Sequence, residues 1–292
     1  MRILFILFNL FVFTSCRARL VSDTQVIEHV DIVNTHADSV TNLRNAIAKF
    51  NEVQDSHIGY AGTPSEQYAN YEALLKIATD KELIKLSKDT NYVVATYATF
   101  GLIERKHPFF LDVFRLFMKN DQYVKVMSGC SAGEDFVSNQ LYFNYYNKEK
   151  YENYEDNEHL QNDKTLLRLD SMILASNNPA WEYEKQMYEN RIYENDYLSL
   201  IERQAFEKDN IYAIEYLFKN NSSQYKDRII SKLKQYLKKD QIAPIYYDIV
   251  YIILLSYHSD ELNLLLENEL LDIQKEYGED KMHEYKNMLL KK

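Results

Sequence analysis

The chain has 292 residues, enough for one or two ordinary domains with a sizeable core. Six glycines and four prolines are too few for a sheet-rich fold, whose turns consume both, and they favour long helices with short polar connections. A net charge of −10, from 34 basic and 44 acidic residues mixed along the chain, argues against nucleic acid as a partner, because phosphate binding needs a basic face.

The first element is "MRILFILFNLFVFTSC". Arg2 is a one-charge start, Ile3 to Phe13 is an apolar run broken only by Asn9, and Thr14, Ser15 and Cys16 follow. The run is too short to span a bilayer and has the length of a signal-peptide core. Small residues ending in cysteine resemble a bacterial lipoprotein signal. Phe-Thr-Ser-Cys is similar to the form used in the Bacteroidota, with Phe13 where the commonest version has leucine. The resemblance implies a signal peptide over 1–15, lipidation of Cys16, and a tether over 16–34 ahead of a folded domain at 35–292. Each buried acyl CH₂ contributes about 0.8 kcal/mol, so several chains hold a protein on a membrane. Arg17-Ala18-Arg19 stands where an acidic surface-export stretch would lie, which places the anchored protein in the cell envelope, at the outer membrane facing the periplasm. The alternative is a cleaved secretory signal with an incidental cysteine. With Cys16 lipidated, Cys130 has no intramolecular partner and no disulfide is expected.

Beyond the tether the pattern is helical. Leu43, Ile47 and Phe50 share one face of a helix over 41–53, and Thr63-Pro64 reads as a helix start. "LIKLSKDTNYVVATYATFGL" (83–102) shifts by 31 residues onto "FRLFMKNDQYVKVMSGCSAG" (114–133), aligning Lys88 with Lys119, Tyr92 with Tyr123 and Val93 with Val124. An apolar-x-x-Asp/Asn phrase recurs at 89, 120, 177, 209 and 240, where it predicts the cap of a following helix. His107-Pro108, Asn195-Asp196, Ser222 and Ser259-Asp260 supply second caps, so each unit of about 31 residues reads as a helical hairpin that must stack on its neighbours. "KDTNYVVATYATFGLIER" and "NNPAW" resemble HEAT-type repeats. The implied fold is all-α: stacked hairpins in a HEAT-like α-solenoid, a right-handed superhelix. The alternative is an irregular helical domain. Residues 148–163, "KEKYENYEDNEHLQND", read as an acidic loop between two halves or as a solvated helix face.

Candidate chemistry is sparse. "GCSAG" (129–133) fits the G-x-S-x-G nucleophile elbow, with Ser131 as nucleophile, but no series of β-runs alternating with helices surrounds it. The favoured reading makes these residues a seam of close helix approach, with Cys130 in packing. Seven scattered histidines with no HExxH or CxxC give no metal-ligand motif, and His258-Ser259-Asp260-Glu261 reads as a helix start. No phosphate-cradling glycine loop exists, so no cofactor and no catalytic residue is assigned. "IYYDIVYIILLSY" (245–257) reads as a buried helix whose rings at Tyr246, Tyr247, Tyr251 and Tyr257 could instead line the concave face of a solenoid. With 25 tyrosines, some rings are expected at surfaces or grooves. The resulting expectation is a lipid-anchored, non-enzymatic scaffold for a protein or peptide, with a toxin-immunity or inhibitor lipoprotein as a variant. A serine hydrolase and a structural tether of the envelope are the other classes.

Overall fold

The computed structural model describes residues 36–152, 157–178, 183–189, 191–238 and 244–290. The signal-like start, Cys16 and the tether lie outside them. Among the described residues there are fourteen helices and one four-stranded sheet, so the mostly helical expectation holds and the absence of strands does not. No described helix is long and apolar enough to cross a membrane.

The N-terminal region runs α1 (His36–Phe50), β1 (Val53–Ile58), β2 (Thr63–Pro64), α2 (Glu66–Ile77), α3 (Asp80–Leu86), α4 (Tyr92–Glu104), α5 (Phe110–Lys119), β3 (Tyr123–Gly129), β4 (Ser131–Phe136) and α6 (Val137–Glu152). The centre is α4. It is apolar on every side, and Val93 to Ile103 are all buried, as an all-round apolar helix must be. Asn91 caps it by accepting from Val94 N–H. Its two interior threonines, Thr96 and Thr99, donate to the carbonyls of Tyr92 and Ala95, so neither hydroxyl is left unpaired. Gly101 lets the flank of α4 come close, since a Cβ there would stand 3.2 Å from methyl groups of Leu75 and Leu83.

The sheet has the order β2-β1-β3-β4. β1 and β3 are parallel, with Val53 opposite Val126 and Gln54 opposite Met127, while the outer pairs are antiparallel. Thr63-Pro64 is therefore an edge strand and not a helix start. Proline has no N–H for a ladder and is tolerated at an edge, and Ser65 caps α2 instead, accepting from Tyr68 N–H at 2.9 Å.

The 31-residue phrase takes two structures. Its first copy enters α4, and its second leaves α5 and becomes β3. "YVVATYATFGL" offers apolar groups on all sides of a helix. "YVKVMSG" alternates and is followed by a tight turn. The capping residues also shift: Asn91 and Asn210, one or two positions beyond Asp89 and Asp209, make the cap hydrogen bonds. Asp89 binds Arg44 through both oxygens at 2.5 and 2.9 Å, and Asn120 ends α5. Asp240 and most of "NNPAW" lie outside the described residues.

The C-terminal region is helical in its described parts: α7 (Asn157–Asn162), α8 (Lys164–Ala175), α9 (Tyr183–Tyr188), α10 (Asn195–Glu207), α11 (Ile211–Tyr236), α12 (Pro244–Ser256), α13 (Asp260–Tyr277) and α14 (Glu279–Leu290). Here α10 packs on α11, α11 on α12, α12 on α13 and α13 on α14. Helix α11 kinks at Asn221, beside the break expected at Ser222. Helix α13 buries an apolar stripe of Leu262, Leu266 and Ile273, and Gly278 at φ 88° ends it. The described residues of the acidic stretch 148–163 include the end of α6 and all of α7.

Candidate functional site

The sheet and three helices enclose a cleft of about 710 Å³. One face of α6 forms a wall, through Gln140, Phe143, Asn144, Asn147 and Lys148, the i, i+3, i+4, i+7 and i+8 spacing of a helical stripe. The opposite face of α6 is core, with Leu141, Tyr142 and Tyr145 buried. β1 supplies Gln54 to His57 and β3 supplies Val126 to Gly129, while Tyr68, Tyr71 and Phe100 form an aromatic side. Tyr71 stacks on Tyr97 at 4.9 Å and meets Phe100 edge-on at 6.4 Å.

Hydrogen bonds fix this frame. The Tyr97 hydroxyl accepts Gln54 N–H at 2.7 Å and donates to the carbonyl of the same residue at 3.0 Å, pinning β1 to α4. Gln67 donates to the carbonyls of Ile47 and Glu52. Ser128 donates to Asp55 at 2.5 Å, and Lys148 bridges to Glu104 at 2.8 Å. Carboxylates of Asp55, Glu104 and Asp135 therefore line the cleft with Lys148 as a basic group among them. Burial pushes the Tyr68 phenol above its ordinary pKa, and the negative charges of Glu72, Glu104 and Asp55 add to the shift. The side-chain oxygen of Asn144 is buried and has no hydrogen-bond partner among the described residues. It is an unsatisfied acceptor within the cleft wall.

The expected site residues fall elsewhere. Tyr247 and Tyr251 are core residues: Tyr251 stacks on Tyr285 at 4.3 Å and donates to Leu266 O at 2.7 Å. Tyr246 packs edge-on against Tyr212, and Tyr257 edge-on against Phe218. Tyr246 and Tyr257 are half-buried, so the four rings form no open face. Their helix α12 is covered by both α11 and α13.

"GCSAG" is a β-hairpin turn, not a helix seam. Ser128 pairs with Ser131, leaving Gly129 and Cys130 as a two-residue loop. Gly129 at φ 51° takes the first central position, where a hairpin of this kind calls for glycine. Ser131 opens strand β4, so the strand-turn-helix of an elbow is not formed. Cys130 is exposed rather than packed.

Sequence reading missed a buried charge pair. Asp170 on α8 is fully buried and meets Arg191 at 2.5 Å. It also accepts from Tyr142 at 2.8 Å and lies 3.0 Å from the Tyr193 hydroxyl, which in turn lies 2.7 Å from Met187 O. Arg191 also donates to Leu160 O. Burial pushes the Asp170 pKa up against these donors. All of these partners are internal, so the cluster holds α6, α8 and the entry to α10 together. Among the described residues, Glu149, His159 and Asp163 have the spacing to hold a metal ion. No known protein family, no curated protein and no solved structure matches this chain.

Proposed function

We propose that this chain is a lipid-anchored protein of a bacterial cell envelope that binds a protein or peptide segment without chemistry, and that the cleft beside α6 is where the segment docks. The single observation that carries the binding reading is the cleft itself, with an aromatic side, amide side chains along α6 and the unpartnered Asn144 oxygen. Amides and rings suit a peptide, which offers backbone N–H groups and apolar side chains together. Asp55, Glu104 and Asp135 favour a segment carrying basic residues. The anchor rests on the Cys16 signal resemblance. In the same reading the consecutive packing of α10 to α14 is a short HEAT-like stack that serves as scaffold.

The test is a peptide-array screen with the purified chain, followed by affinity measurement on the peptides retained. Basic-aromatic peptides are expected to bind, and Tyr68→Ala and Asn144→Leu to weaken them at least tenfold. Retention of no peptide, or binding indifferent to both substitutions, defeats the cleft as the site. For the anchor, Cys16→Ala is expected to release the protein from membranes, and unchanged partitioning defeats lipidation.

A further inference from the structure

We propose that Glu149, His159 and Asp163 bind one divalent transition-metal ion of the zinc class, and that the ion ties the end of α6 to α7 and the start of α8. The three residues come from three consecutive elements, and one donor atom from each lies within 4.8 Å of the other two. His159 Nε2 and Glu149 Oε2 are already 3.0 Å apart. Ligands about 2.0–2.2 Å from a zinc ion lie roughly 3.3–3.6 Å from one another, so small side-chain rotations close the set.

Imidazole with two carboxylates is a nitrogen-oxygen donor set suited to zinc and its first-row neighbours, and three protein ligands leave a fourth position for water. Glu149 is 6% exposed, a depth at which a carboxylate is found only when it is paired, and here it faces the His159 imidazole. Asp163 is held in orientation: one oxygen accepts Leu166 N–H at 2.6 Å and the Tyr145 hydroxyl at 3.0 Å. Tyr145 is itself stacked on Phe110 at 5.3 Å. A ligand fixed by a second layer of hydrogen bonds is what a metal site needs. The proposal is independent of the peptide cleft.

The test uses the full chain, stripped with a chelator and titrated with Zn²⁺ by calorimetry and with Co²⁺ by visible absorption. One ion per chain is expected, with His159→Ala and Glu149→Gln each weakening it at least tenfold. Failure to bind, or affinity unchanged in both variants, overturns the site. If His159→Ala does not fold, an imidazole signal shifted by bound cobalt in the wild-type chain, lost in His159→Gln, decides the question, and no such signal overturns it.

Discussion

The regions before and after residue 153 use the same composition in opposite ways. Before it, the chain turns repeatedly, a small sheet interrupts the helices, and a cleft opens between them. After it, the described elements are all helices, and from α10 onward each packs on the next. Tyrosine serves both as a peg whose ring fills the core while its hydroxyl satisfies a polar group. Tyr97 pegs a strand to a helix, whereas Tyr251 and Tyr285 peg helix to helix, through Leu266 O and the Asp248 carboxylate. An abundance of tyrosine, which by composition points to a binding surface, is here largely a way of building a core with its own hydrogen bonds.

The largest effect is expected where the two regions meet. Arg191→Met leaves Asp170 buried without its cation and should cost about 3–5 kcal/mol, read as a fall in the urea midpoint. Adding Asp170→Leu removes the stranded charge, and the double variant should be more stable than Arg191→Met alone. A double variant worse than the single would mean that the tyrosines, not the ion pair, hold the seam.

The pegs come next. Tyr97→Phe strips a partner from both the N–H and the carbonyl of Gln54, for about 2–3 kcal/mol. Tyr251→Phe strips one carbonyl, Leu266 O, for about 1 kcal/mol. Equal losses in the two variants would erase the distinction between a strand peg and a helix peg.

The C-terminal region was the more legible in sequence, because α12 and α13 announce themselves by a long apolar run and a clean stripe bounded by Ser259 and Gly278. The sheet was not. "VQDSHI" and "SAGEDF" carry no alternating apolar pattern, since they lie at a half-exposed sheet and draw order from β3. The stretch that forms β3 reads as part of a repeat helix, and its parallel partner lies some seventy residues earlier, beyond any local signal. The cleft was equally hidden, because its walls come from six separate elements. Of the proposed metal ligands, Glu149 stands ten residues before His159, and no sequence motif joins the three.

Helix caps give a smaller contrast. Thr79 and Glu82 form a reciprocal capping box on α3, and accepting from the backbone N–H and hydroxyl of Thr79 lowers the Glu82 pKa to about 2. A lowered carboxyl stabilises the fold fully above its ordinary value of 4.5, and that contribution disappears as pH falls towards 2. Thr79→Ala should cost about 1 kcal/mol at neutral pH and flatten the acid dependence in that window. Ser259 makes no side-chain cap bond on α13, so Ser259→Ala should stay within about 0.5 kcal/mol. Circular dichroism melts at pH 7 and pH 3 separate the two.

The hairpin gives a contrast of similar size between two adjacent residues. Gly129→Ala forces a side chain onto φ 51° and costs about 1 kcal/mol or more, although space there is open. Cys130→Ser should be neutral, because the thiol is exposed at the turn and fills no core. The same exposure means that Cys130 in the native chain should react with a thiol reagent without denaturant. A thiol protected until unfolding would put residue 130 back into helix packing and remove the turn that makes β3 and β4 a hairpin.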